Sequence, residues 1–279
     1  MGNQGNLGRV IFITGIKGGV GKTTVTANLA ACLRAMEKRV LIIDGDFGMR
    51  CMDLVLGFES ETLFDCYDVL LGRCEPESAI IGSEGLYFMP APMNYNGDEI
   101  PTERFTSLFK KLRSRYDYCL IDSSADPSPY YTSFAMASDD AIVVTLHQST
   151  SIRAAEKTAS KLASIGFKNL RLIINGYREN YAKKEMLPPI IDIINRSSIR
   201  LLGVVPYDDN LPADQESGFL TFSGKYNKHL KKYEAAFFNT ARRICGENVP
   251  LFADVYKTKK KKYYIRKRGK EEDLAREIL

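Results

Sequence analysis

The sequence is poor in metal-binding and membrane-spanning features. It has two histidines, His147 and His229, and its six cysteines (Cys32, Cys51, Cys66, Cys74, Cys119 and Cys245) include no CxxC pair. No zinc-binding spacing exists, and cysteines so scattered read as small buried hydrophobes in a reducing compartment. No apolar stretch approaches the roughly 20 residues of a membrane-spanning helix. The best runs, at 40–43 and 141–146, have the length of sheet strands, which excludes an integral membrane protein. The start, Met1-Gly2-Asn3-Gln4-Gly5-Asn6, lacks the charged lead and apolar stretch of a secretory signal, and Asn6 stands where myristoylation wants Ser or Thr. The expected location is the cytoplasm. No internal repeat is visible.

What is present is an ordinary globular composition: 279 residues, 44% hydrophobic and 26% charged, enough for one large domain or two small ones and incompatible with disorder throughout. Short β-rich apolar runs at 10–13, 40–43, 86–89, 118–121, 141–144, 170–174 and 201–205 alternate with segments of helical length. Several are apolar at every position, as strands covered on both faces are. The pattern predicts an α/β fold, a mostly parallel sheet of about seven or eight strands with helices on both faces. Val25, Leu29, Cys32, Leu33 and Met36 recur at helical spacing, so 23–37 is the expected first crossover helix. Five strands end in a polar residue, Thr14, Asp44, Asp122, Thr145 and Asn175. In an open parallel sheet the ligand crevice lies beyond the carboxyl ends, so these five are expected to line one site.

Directly after the first strand comes Lys17-Gly18-Gly19-Val20-Gly21-Lys22-Thr23-Thr24. Glycines let backbone N–H groups wrap a phosphate, the helix N-terminus adds positive potential, a lysine reaches the terminal phosphates, and a hydroxyl can bind Mg²⁺. This is a P-loop in its required strand-loop-helix context. Ile16 stands where the strict pattern wants glycine, so the match is to the variant with an extra lysine, Lys17. Asp44 and Asp46 after the second strand, and Asp122 after the apolar run 118–121, are placed to hold Mg²⁺ or its water shell and to orient an attacking water. Each aspartate alone reads more simply as a turn or cap residue; their shared position beside the P-loop decides otherwise.

Residues 17–24 resemble the deviant Walker A motif of the MinD/ParA superfamily of ATPases, and Asp44 to Gly57 is similar to the first switch of its MinD branch. Residues 68–74, 86–92 and 241–251 also read as MinD-like, so the resemblance covers roughly 8–252. It implies a P-loop NTPase domain over 1–252, using ATP and Mg²⁺, that forms an ATP-dependent homodimer. Lys17 would be the signature lysine that crosses to the partner's nucleotide. Lys22 would bind the β- and γ-phosphates with Gly18, Gly19, Val20, Gly21 and Thr24; Thr23, Asp44 and Asp122 would serve the metal, and Asp46 would position the hydrolytic water. Asn175 would read adenine, with Pro206 and Asp208 nearby. Because phosphoryl transfer is mainly positioning and charge stabilisation, a lysine delivered by dimerisation would tie hydrolysis to assembly. The chain departs from the family at Cys51 (usually Asn), at Ser123-Ser124-Ala125-Asp126 (usually Pro-Ala-Gly after the aspartate) and at Gly176 (usually Arg), all positions that respond to nucleotide and partners.

The resemblance further implies a spatial regulator of cell division, peripherally membrane-associated in its ATP form, that recruits a MinC-like inhibitor of FtsZ assembly and answers to a MinE-like or other topological factor. Related alternatives are a ParA-like DNA-partitioning protein and a flagellar-placement ATPase; a P-loop ligase is disfavoured because no second-substrate motif is evident.

The remainder, 253–279, is a basic tail. Residues 257–270 hold nine basic residues and no acid, whereas 271–279 carry a net −3. The whole chain, with 39 Lys+Arg against 34 Asp+Glu, is +5, which leaves −1 for residues 1–256. Leu274, Ala275, Ile278 and Leu279 form one helical stripe opposite an acidic face that anionic lipid would repel. The basic run with Tyr263, Tyr264 and Ile265 could instead meet an anionic membrane, bind nucleic acid, or remain solvated. Tyr256, Tyr263 and Tyr264 also resemble the C-terminal tyrosine cluster of bacterial tyrosine kinases, against which the MinD-like first switch argues.

Overall fold

Runs that are apolar at every position become strands sandwiched between helices. The computed structural model of the chain describes residues 7–47, 49–58, 62–125, 130–216 and 231–249. Its strands are β1 (Arg9–Thr14), β2 (Val40–Gly45), β3 (Ile81–Ser83), β4 (Leu86–Met89), β5 (Tyr118–Ser123), β6 (Asp140–Leu146), β7 (Leu170–Tyr177) and β8 (Leu201–Pro206). Its helices are α1 (Lys22–Ala35), α2 (Met52–Leu56), α3 (Cys66–Leu71), α4 (Thr102–Leu112), α5 (Tyr131–Met136), α6 (Ser149–Ser164), α7 (Glu179–Lys183), α8 (Ile190–Ser197), α9 (Asn210–Glu216) and α10 (Lys232–Ile244).

The eight strands form one sheet in the order β3-β4-β2-β5-β1-β6-β7-β8. Neighbours are parallel, as crossover helices require, except that β3 returns antiparallel to β4. All seven apolar runs are strands. The eighth, β3, escaped the apolar pattern because it is three residues of Ile-Gly-Ser on the sheet's edge. It is made by a tight turn through Glu84 and Gly85, both at positive φ, the backbone that suits a two-residue hairpin.

Helices cover both faces. On one, Val25, Leu29 and Leu33 of α1, Met52 of α2 and Tyr233 and Phe237 of α10 pack on Ile11, Ile13, Ile42 and Leu120. On the other, Phe105 and Phe109 of α4, Phe134 of α5, Ile152 of α6 and Ile193 of α8 pack on Val10, Phe12, Ile43 and Ile121. Helix α1 starts one residue before the expected 23–37 and stops at Ala35, because Glu37 turns left-handed at φ 62°. Among the described residues no helix is long and apolar enough to cross a membrane. The basic tail, 253–279, lies outside the described residues.

The five polar strand ends sit at the carboxyl edge, each buried, but the pleat divides them. Asp44, Asp122 and Asn175 share the parity of Ile42, Leu120 and Ile173 and so face α1. Thr14 and Thr145 share the parity of Phe12 and Val143 and face the other layer, where the Thr14 hydroxyl is hydrogen-bonded to that of Tyr131 at 2.8 Å. The expectation that all five line one site is thereby corrected to three.

Candidate functional site

The loop between β1 and α1 is held from below and behind. Gly21 takes φ 89° to enter the helix, and a Cβ there would lie 2.3 Å from the amide nitrogen of Asn175. Only glycine satisfies both demands. That amide donates to the Val20 carbonyl at 2.9 Å, and its oxygen accepts from the Gly176 N–H at 3.0 Å, so the end of β7 braces the loop. Gly18 and Gly19 are exposed. The first turn of α1 holds no acidic residue, so the positive end of its dipole is not neutralised where an anion would sit. Lys22, in that turn, is 8% exposed.

Thr23 donates its hydroxyl to Asp122 at 2.6 Å, and Thr26 donates to the other carboxylate oxygen at 3.2 Å. Asp44 is the cross-strand partner of Asp122, and its oxygens accept from the backbone N–H groups of Asp46 (2.9 Å) and Met52 (3.4 Å). Two carboxylates thus stand side by side, almost fully buried. Burial pushes Asp122 up to about 7 even though Thr23, Lys22 and Thr26 favour its charged form. Asp44 lies well above the ordinary carboxylate range, through burial and then the charge of Asp122. Such a pair is short of a positive charge. Among the described residues no group of three or more His, Cys, Asp or Glu could form a full metal cage. Two carboxylates and one hydroxyl instead fit Mg²⁺, which keeps waters and phosphate oxygens in its shell.

Lys17 is turned onto its own chain: its ammonium donates to the hydroxyls of Thr150 (2.9 Å) and Ser151 (3.0 Å) in the first turn of α6. Pro206 and Asp208 lie one strand beyond Asn175, joined to it by the pairing of Tyr177 with Pro206 and by the Tyr207 N–H to the Tyr177 carbonyl at 3.0 Å. Asp208 accepts from the Asn210 N–H at 3.0 Å, where α9 begins. That helix returns to the P-loop helix, where Gln215 and Thr24 are hydrogen-bonded at 3.0 Å.

Several participants carry no sequence signal. Phe47, inside the segment 44–57, packs its ring against Tyr130 (5.2 Å), Tyr95 (5.9 Å), Tyr67 and Phe134 (both 6.0 Å), linking the loop after β2 to α3 and α5. The Arg178 guanidinium lies 3.5 Å over the Tyr207 ring. Thr26, Gln215, Thr150 and Ser151 likewise belong to no motif. Of the departing residues, Cys51 stands just before α2 without a side-chain capping bond, and its thiol is pushed up by burial and then by Asp44 and Asp46, so it stays a neutral thiol. Ser124 is buried at the end of β5, and Gly176 has φ 61°. Asp126 lies outside the described residues.

The sequence model of the CobQ/CobB/MinD/ParA nucleotide binding domain matches residues 11–221. A septum site-determining protein MinD from Bacillus subtilis is 34% identical over 250 residues, 88% of this chain and 92% of its own length. Among solved structures, the MinC:MinD cell division protein complex of Aquifex aeolicus aligns with TM-score 0.78 and 30% identity, covering 87% of this chain and 98% of the other. The septum site-determining protein MinD of Pyrococcus horikoshii, complexed with Mg-ADP, aligns with TM-score 0.74 and 28% identity over 85% of this chain and 96% of the other.

Proposed function

Because the chain belongs to the CobQ/CobB/MinD/ParA family of nucleotide-binding domains, we propose that it is an ATP-hydrolysing, ATP-dependently dimerising regulator of where cells divide. The observation that carries this reading is the P-loop beside the Asp44–Asp122 pair, a phosphate cradle next to a cation-deficient site. In this reading 1–252 is the ATPase domain and 253–279 a basic extension.

The N–H groups of residues 18–24 wrap the phosphates, and Lys22 neutralises the β- and γ-phosphate oxygens. Thr23, Asp122 and Asp44 would hold Mg²⁺, which would offset phosphate charge. Asp46, tied to Asp44 through its backbone, orients the attacking water. Asn175, Pro206 and Asp208 face the base. Lys17 leaves Thr150 and Ser151 and delivers its charge to the nucleotide of a second copy, so turnover requires two chains. The ATP dimer gathers at an anionic membrane, where two tails bind with the avidity that one lacks, and there recruits a MinC-like inhibitor of FtsZ assembly. Support for that partner is the likeness to the Aquifex MinC:MinD complex. A MinE-like factor would set the lifetime of the bound state.

The test is direct. Sedimentation of purified protein with ATP and with ADP should show a dimer in ATP alone, and only that dimer should pellet with vesicles containing phosphatidylglycerol. A chain that remains monomeric in ATP and ignores such vesicles would refute the reading.

A further inference from the structure

Helix α9 buries no residue fully, and Leu211 rests only partly on the core that also holds α1 and α10. Two adjacent polar side chains do the rest. Asp214 reaches α10: its carboxylate accepts from the Lys231 ammonium at 2.6 Å and from the hydroxyl of Tyr233, a fully buried ring. A buried phenol stripped of its partner costs more than an exposed hydrogen bond returns, which ties α9 to α10.

The next residue, Gln215, reaches α1. Its amide presents both its oxygen (3.1 Å) and its nitrogen (3.0 Å) to the Thr24 hydroxyl, 191 positions away in sequence. Thr24 closes the run 17–24, and two other contacts set its place. Its carbonyl accepts from the Asn28 amide at 2.8 Å. A Cβ at Gly21 would lie 3.8 Å from the Thr24 Cβ and 2.3 Å from the amide nitrogen of Asn175. Thr24 and Asn175 therefore stand at the same turn of the loop, and Gln215 is bonded to the first of them.

A threonine hydroxyl has one proton to give, whereas a carboxamide can both give and receive. In the empty loop the hydroxyl can give its proton to the Gln215 oxygen. A phosphate oxygen can only accept, so with phosphate in the loop the proton turns to it and the Gln215 nitrogen becomes the donor to Thr24. An amide keeps its hold in both states; a carboxylate in its place would compete with the phosphate for that proton.

We propose that Gln215 is a positioning residue for the nucleotide: anchored through α9 to α10, it aims the Thr24 hydroxyl at a phosphate oxygen and donates to that hydroxyl once the oxygen is bound. The inference rests on the nucleotide-binding reading of residues 17–24 above. In that reading Lys22 and Thr23, not Thr24, serve the terminal phosphates and the metal. The contact is then made equally in the ground state and the transition state, so its loss should appear in KM and not in kcat.

Isothermal titration of the full-length protein with ADP and Mg²⁺, and steady-state turnover with ATP, test it. Gln215→Ala should bind ADP about three- to tenfold more weakly, the worth of one hydrogen bond, and should raise KM for ATP by a similar factor with kcat within about twofold of wild type. Over Thr24→Val, which removes the hydroxyl, Gln215→Ala should make no further difference; over Thr24→Ser, which keeps it, the full effect should remain. Gln215→Glu, able only to accept, should bind ADP more weakly than Gln215→Ala. Affinity equal to wild type in either Gln215 variant overturns the inference. So does a loss that persists undiminished over Thr24→Val, which would assign Gln215 to the packing of α9 alone, or a kcat that falls at unchanged KM. A wild type that binds neither ADP nor ATP sinks the nucleotide reading itself and the inference with it.

Discussion

The two ends of one sheet are assembled differently. At the carboxyl edge, loops do the work: residues 17–24 form an unbroken string, and the acidic pair is one residue from each of two neighbouring strands. At the amino edge the ion pairs, Arg9 with Asp140 and Arg113 with Asp139, join residues from distant stretches that strand register and helix packing bring together. The first kind of site can be read as a motif. The second is a property of the assembled sheet, because its members are set by which strand ends the register aligns.

Experiments can test that division. The largest effect is expected from Lys17→Ala: loss of a charge delivered to the transition state should cut turnover on the order of 10³-fold or more while nucleotide binding by the monomer survives. A turnover that stays linear in protein concentration for the wild type would break the assignment of Lys17. Lys22→Ala should lower turnover on the order of 10²- to 10³-fold and, unlike Lys17→Ala, weaken nucleotide binding as well; isothermal titration separates the two.

Next comes pH. Asp122 is raised from 3.8 to about 7 in the folded chain, so the folded form holds a proton that the unfolded form releases. Its contribution is complete below about pH 4 and is lost as pH rises towards 7. The melting temperature of nucleotide-free protein should therefore decline across that window. Asp122→Asn should flatten the decline, and Mg²⁺ with nucleotide should reverse it. Equal slopes for variant and wild type would show that the carboxylate pair is not frustrated. At the other edge, Asp140→Asn removes the carboxylate that pairs with Arg9. A half-exposed pair of this kind is worth below about 1 kcal/mol, so a small drop in denaturation midpoint is expected, largest at low salt.

Much of the fold was legible because a strand buried on both faces has no polar positions to hide it, as 40–43 and 118–121 illustrate. The short edge strand β3 was not, since Ile-Gly-Ser carries no pattern. For the site, the P-loop and the aspartates at strand ends were readable from spacing. The division of Thr14 and Thr145 from Asp44, Asp122 and Asn175 depends on strand parity, which a list of strand ends omits. The hydroxyls that hold Lys17 lie more than a hundred positions away, and Phe47 becomes a hub only when α3 and α5 surround it. Such partners are chosen by tertiary packing and leave no local trace.

The bond from Asn175 to the Val20 carbonyl, spanning 155 positions of sequence, has a thermodynamic consequence. Glycine-rich segments ordinarily have the most conformational freedom to lose when a ligand orders them. Here the crossover that lays β7 beside β6 has already fixed the turn through Gly21, so that entropy is spent during folding and not on encounter. Binding to such a preorganised cradle keeps more of its interaction energy as affinity. A substitution at Asn175 should accordingly appear in calorimetry as a less favourable binding entropy, even for inorganic pyrophosphate, which has no base to contact.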